Sequence, residues 1–214
     1  MNDSNDGNNR KATVGKFETS LATMIEQMMR STAFGKITAV NVAIGIRSDG
    51  GKEFLDYSIA PTENGTAWSE LLQGLRAWGI KDIQLFIADG LVGLQSSIEA
   101  NYPQAKFQRC WVHAERNLLG YVRKNERREI ITDFKAVRQA ENLQDAKERL
   151  AAFGAKRESD YKRRIKNLVQ MDDLFTFFSF PTAIRQTIYS TNLIESFNKS
   201  LRWSDVKSSS QQTP

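Results

Sequence analysis

The chain has 214 residues, 40% hydrophobic and 26% charged, with 30 Lys and Arg against 25 Asp and Glu for a net charge of +5. That length supports one sizeable core with room for a small insertion. No apolar run reaches the roughly 18 to 20 residues that a membrane span needs, and a single cysteine rules out an internal disulfide and fits a reducing compartment. The opening MNDSNDGNNRKATVGKF lacks the apolar core of a signal peptide, so a cytoplasmic protein is expected.

In chain order, residues 1–16 are rich in Asn, Asp and Gly and read as a disordered tail. FETSLATMIEQMMR, residues 17–30, places Leu21, Met24, Ile25, Met28 and Met29 at helical spacing, which predicts an N-terminal helix over 17–33. ITAVNVAIGI (37–46) is β-branched and apolar, and with the turn SDGGK and EFLDYSIA (53–60) it predicts a hairpin. TAWSELLQGLRAWG (66–79) has an amphipathic helical pattern ended by Gly79, with Trp68 and Trp78 as packing residues. IQLFIAD (83–89) is a short, nearly all-apolar run of the kind buried on both faces of a sheet. LVGLQSSIEANY (91–102) reads as a helix stopped by Pro103, and AKFQRCWV (105–112) as a further strand. A charged helical stretch runs from Arg116 to about Val169, then an aromatic linker around Pro181, then the closing helix STNLIESFNKSLR (190–202). This order is α/β, with helical residues 125–180 inserted between a core at 34–124 and a last core helix at 181–207, and a tail at 208–214. Residues 114–170 hold 15 Lys and Arg against 9 Asp and Glu, a net +6, which suits phosphate contact or a solvated helical face.

Asp89 ends an apolar strand, and ligands in α/β sheets gather beyond the carboxyl ends of strands. Two readings stand for it: a carboxylate facing a ligand, with Gly90 allowing a sharp turn, or a cap on a helix starting at Leu91. Glu195 likewise either closes a capping box with Asn192 or shares a functional polar face with Asn198 and Arg202. Two carboxylates about 4 Å apart repel by roughly 4 kcal/mol at an effective dielectric near 20, so a close pair needs a cation between them. Carboxylate oxygens favour Mg2+ or Mn2+, and two such ions can cleave a phosphodiester. Cys110 and His113 form C-x-x-H, but they are the only Cys and the only His, too few for a structural zinc site within one chain. A packing role at a strand-to-helix junction is expected for both.

Three motifs in one order carry a resemblance: D-G-L-x-G-L after a strand at Asp89, then C-x-x-H-x-x-R-N from Cys110 to Asn117, then Y-S-T-N-x-I-E-S-x-N-x-x-L-R ending at Arg202. Together they resemble the Mutator-type transposases of bacterial and archaeal insertion sequences, from about Thr38 to Arg202. The resemblance implies a ribonuclease H-like fold whose Asp, Asp, Glu triad holds two divalent metals, Mg2+ or Mn2+, for DNA cleavage and strand transfer. It makes Asp89 the second Asp and Glu195 the Glu, matches Cys110 and His113 to the C-x-x-H, and puts Arg116, Asn117, Asn198, Lys199 and Arg202 against DNA. Transposon ends and target DNA are then the partners, in the nucleoid of a prokaryote, and a homo-oligomer is left open. The family's first Asp lies on a strand just upstream of ITAVNVAIGI, where this chain has none; Asp49 sits in a turn and Asp56 mid-strand. A truncated remnant is therefore expected, inactive in cleavage, with its first strand missing. The alternative is a non-catalytic DNA-binding or regulatory fragment. Loss of a central strand would leave two unpaired strand edges. Either these pair directly, residues 11–17 substitute, or the core is loose.

Overall fold

The computed structural model describes residues 19–20, 22–31, 37–47, 51–60 and 65–189. Within them a five-stranded mixed sheet is flanked by helices, an α/β arrangement. A two-residue strand β1 (Thr19–Ser20) pairs in parallel with β5 (Asp82–Ile83) beside it. The main sheet holds β2 (Ala22–Ser31), β3 (Ile37–Ile46), β4 (Lys52–Ala60), β6 (Leu85–Ala88) and β7 (Lys106–Arg109), in the order β4-β3-β2-β6-β7. The pairs β2/β3 and β3/β4 are antiparallel, whereas β2/β6 and β6/β7 are parallel.

The segment expected as an N-terminal helix is instead the central strand. Ala22–Ser31 pairs along all ten residues with β3, and Thr23, Met24 and Ile25 pair on the other side with Phe86, Ile87 and Ala88. The apolar spacing and the Met, Glu and Gln content do favour a helix, but only by a few tenths of a kcal/mol per residue. An open slot between β3 and β6 exposes two rows of N–H and C=O groups, and filling it satisfies both. The tertiary term wins. The strand expected to be missing thus has an occupant, and residues 22–31 provide it rather than 11–17.

The sheet separates two apolar layers. On one face Ile25, Ala43, Phe86 and Ala88 pack against Trp68, Leu71, Leu72 and Leu75 of α1 (Gly65–Ala77) and Leu94 and Ile98 of α2 (Leu94–Asn101). On the other, Ala22, Val42, Ile44, Leu85 and Ile87 meet Trp111 and Leu118 of α3 (Trp111–Tyr121) and the helical segment that follows. All four residues of β6 are buried, as its unbroken apolar run requires. Each side chain of this kind contributes roughly 1.5–3 kcal/mol on full burial.

Other boundaries differ from expectation. Strand β7 stops at Arg109 and α3 begins at Trp111, because the turn is made at Cys110. Helix α2 begins at Leu94, behind Gly93 with φ 78, rather than at Leu91. The aromatic stretch is a 3-10 helix, Asp172–Ser179, that covers the outer side of β7. Its attachment runs through Gln108, which is fully buried. The Gln108 amide donates to the Leu174 carbonyl at 2.9 Å and accepts from the Phe177 N–H at 2.7 Å, while Trp111 Nε1 donates to the same Leu174 carbonyl at 2.8 Å.

Helices α4 (Arg127–Arg138) and α5 (Leu143–Val169) lie antiparallel, with Arg157 bonded to Glu129 at 2.6 Å and Arg149 to the Ala136 carbonyl at 3.0 Å. Hydrogen bonds from Lys156 and Arg157 hold the Glu129 carboxyl below its usual range. Burial works the other way at Asp133, but the same two cations prevail there too. Helix α5 is broken at Tyr161, whose φ of −132° and ψ of 32° are not helical. Fifteen residues of straight helix would span about 22 Å, yet a Cβ on Gly154 would stand 2.8 Å from Val169 Cγ2. The second half therefore folds back over the first, and Gly154 leaves the space for it. Helix α6 (Thr182–Tyr189) closes the described chain. Residues 190–202, the tails at 1–16 and 208–214, and Asp49 lie outside the described residues.

If β2 is the central strand, Ile25, 1% exposed, is a core residue. Replacing it with alanine is expected to cost about 2–5 kcal/mol in urea unfolding. A change within about 0.5 kcal/mol, as surface positions show, would remove the segment from the sheet.

Candidate active site at the end of the central strands

Asp89 leaves the carboxyl end of β6 half-buried, and its Oδ1 accepts from the Gly90 N–H at 2.8 Å. The helix-capping alternative does not hold, since α2 starts four residues past Gly90 behind Gly93 and has no side-chain cap. Gly90 is needed for a reason the sequence does not reveal. A Cβ there would fall 1.4 Å from Nη1 of Arg109, so the guanidinium lies directly over the glycine. Arg109 is fixed by a fork to Asp173, with Nε at 2.9 Å and 3.0 Å from the two carboxylate oxygens and Nη2 at 2.7 Å from one of them. Such bidentate pairs set geometry as well as charge.

The register brings the central strand to the same place. Ile25 pairs with Ala88, so the next residue along each parallel strand puts the Glu26 backbone beside that of Asp89. Asp56 cannot share this place. It lies on β4, three strand spacings from β6, about 14 Å away.

The sequence-predicted residues divide cleanly. Asp89, Cys110, His113, Arg116 and Asn117 converge on one end of the sheet and the first two turns of α3. Glu195, Asn198, Lys199 and Arg202 lie outside the described residues. Cys110 is 2% exposed and its N–H donates to the Ala88 carbonyl at 2.8 Å, tying the start of α3 to the end of β6. His113, one turn on, has a buried Nδ1 with no hydrogen-bond partner among the described residues. Burial pushes its pKa below the usual histidine value; the Asp89 carboxylate opposes that and Arg116 reinforces it. Among the described residues no group of three or more His, Cys, Asp and Glu converges as a metal site.

Beside Asp89 opens a cavity of about 280 Å3, floored by Leu118 and Leu168 and walled by Arg109, Asn117, Tyr121 and Arg164. Sequence reasoning missed Arg109, Tyr121, Arg164 and Asn167. Arg109 could have been found from the expectation that neighbouring parallel strands end together, and Tyr121 arrives at the end of α3; Arg164 and Asn167 reach the site only through the reversal at Tyr161.

The protein has one histidine, so its proton resonance reports this site without overlap. In metal-free protein His113 is expected to titrate below about 6.5, lower still in Asp89→Asn and higher in Arg116→Gln. The unfolded chain then takes up the proton first as pH falls. The stability that neutral His113 allows is therefore complete above about 6.5 and is lost as pH drops from there toward the folded value. A midpoint at or above that value, unmoved by both substitutions, would separate His113 from Asp89.

A model of the family described as "Transposase, Mutator family" matches residues 14–209. Among curated relatives, the transposase for insertion sequence element IS1201 of Lactobacillus helveticus is 45% identical over 165 residues, covering 77% of this chain and 45% of that protein. The transposase for IS905 of Lactococcus lactis is 42% identical over 163 residues, 76% of this chain and 42% of that protein. That for ISRM3 of Rhizobium meliloti is 33% identical over 183 residues. The chain thus spans a little under half the length of these relatives, and the family match covers β2, Asp89 and the C-x-x-H alike. The chain belongs to the Mutator family of transposases.

Proposed function

We propose that this chain carries the DNA-cleaving core of an insertion-element transposase, ribonuclease H-like in fold, acting on transposon ends and target DNA. The observation that carries the reading is Asp89 at the carboxyl end of β6, beside a central strand antiparallel to β3 and parallel to β6. Asp89 and Glu195 would hold Mg2+ or Mn2+, with Glu26 in the register position where the family's first Asp is expected. Carboxylate oxygens suit these hard cations, which when bound would activate a water and stabilise the leaving oxygen. Around them Arg109 keeps its guanidinium at the mouth of the site, Arg116 and Asn117 project from α3, and Asn198, Lys199 and Arg202 would continue the DNA path. No helix among the described residues is long and apolar enough to cross a membrane.

A specific observation favours a second reading, a non-catalytic DNA-binding fragment: β2 reads ATMIEQMMRS and has no Asp. Incubating the full chain with Mn2+ and a plasmid bearing the DNA that flanks its coding sequence separates the two. Nicking lost in Asp89→Asn, Glu195→Gln and Glu26→Gln supports the catalytic site. Nicking that survives Asp89→Asn overturns it, and DNA binding without nicking supports the second reading.

The charge pattern sharpens the expectation for DNA. Many basic side chains of residues 114–170 are already committed: Lys156 and Arg157 to Glu129 and Asp133, Arg149 to Asp145, Lys147 to Asp172, Lys135 to Glu115. The second half of α5 differs, since Lys162, Arg163 and Lys166 are exposed and, with Arg164, form no ion pair with a described residue. If these four meet phosphates, they contribute about −3.6 to the log–log salt slope of duplex binding. Changing Lys162, Arg163 and Lys166 to glutamine should make the slope shallower by about 2.7. A slope that those changes leave untouched would place the DNA elsewhere.

A further inference from the structure

We propose that the cavity beside Asp89 receives a single unpaired nucleobase of the bound DNA; the inference rests on the DNA-processing reading above and specifies how this site meets its substrate. The cavity, at about 280 Å3, lies just below the range of roughly 300–1,000 Å3 usual for drug-sized ligands, a size that admits a single base. Its floor is apolar, from Ala114, Leu118 and Leu168. Its wall is a flat pile: the Arg164 guanidinium carbon stands 3.5 Å from the centre of the Tyr121 ring, and Tyr121 remains 54% exposed. Bases extracted from a duplex stack on such aromatic and guanidinium planes.

The rim supplies the hydrogen bonding a base edge needs. The amides of Asn117 and Asn167 line the same cavity, both exposed, and neither bonds to any described residue. An Asn amide offers a donor and an acceptor side by side, the pattern that matches a base edge. A charged ligand head would instead call for a buried ion partner, and Arg109, the nearest fixed cation, is already forked to Asp173. Arg164, whose guanidinium lines the cavity, forms no ion pair with a described residue, which suits the polyanionic strand attached to the base rather than a free neutral ring. Asp89 closes the other side, so the phosphodiester next to the seated base lies at the carboxylate. The pocket would thereby fix which phosphate is presented to Asp89, a positioning role for Tyr121, Arg164 and Asn167.

Two hairpin DNAs test this with the full chain. They are identical except that a single 2-aminopurine is either paired with thymine or left as a one-nucleotide bulge. The bulged hairpin is expected to bind about tenfold more tightly, with quenching of the 2-aminopurine as it stacks. Tyr121→Ala and Asn167→Ala, both at exposed positions, should each abolish the preference and the quenching while duplex affinity stays. Equal affinity of wild-type protein for the two hairpins overturns the base pocket and leaves the DNA reading standing. Binding to neither hairpin overturns both. A preference that survives both substitutions places the base elsewhere and overturns the assignment. Displacement of the quenched hairpin by free deoxyadenosine monophosphate at equal concentration would make this a mononucleotide site, which also overturns the proposal.

Discussion

Three parallel residue pairs between β2 and β6, from Thr23–Phe86 to Ile25–Ala88, govern the arrangement of everything at the carboxyl end of the sheet. They join two halves that would otherwise each end in an open edge: the β3/β4 hairpin on one side, and β6 with β7 on the other. Their register also sets which backbone positions meet at the end of the sheet, because continuing it by one residue puts the Glu26 backbone next to that of Asp89. A slip of one residue would turn every side chain of β2 to the opposite face, taking Ile25 out of the layer it shares with Ala43 and Phe86. The buried side chains thus hold the register, and the register sets how the ends of β2 and β6 meet.

A second set of contacts brings the helical segment to that end. Gln108 and Trp111 hold the 3-10 helix against β7, and Arg109 reaches Asp173 from the same short stretch. A buried amide such as that of Gln108 would cost about 1–3 kcal/mol if its partners were removed, so this docking is specific rather than a loose apolar contact. Because Asp172–Ser179 follows α5 directly, anchoring it also anchors the returning half of α5. That half supplies Arg164, Asn167 and Leu168 to the cavity. The α4/α5 pair is tied internally by ion pairs, whereas Lys162, Arg163, Arg164 and Lys166 of the returning half form none with a described residue.

The sequence made some of this legible. A short apolar run ending in Asp-Gly identified β6 and the position of Asp89, and the β-branched hairpin and the amphipathic α1 follow directly from periodicity. The C-x-x-H spacing located the junction at which Cys110 and His113 sit. Residues 22–31 misled because Met, Glu and Gln at helical spacing carry no trace of the slot that claims them. Contacts across long separations were equally silent: Arg109 and Asp173 are 64 residues apart, and helical spacing runs unbroken through Tyr161 although the backbone reverses there. Gly154 was the one visible sign of that reversal, and a lone glycine within a helical pattern has many explanations. Residues 190–202 lie outside the described residues, so Glu195 rests on the motif.

Amide hydrogen exchange resolved by residue tests the central strand most directly. Interior strand amides exchange only through global opening, whereas those of an edge or a surface helix open locally. The amides of Met24 and Ile25 should exchange as slowly as those of Phe86 and Ile87, and all four should accelerate together in Ile25→Ala. Fast exchange at Met24 and Ile25, with Phe86 and Ile87 still protected, would contradict a sheet built around β2.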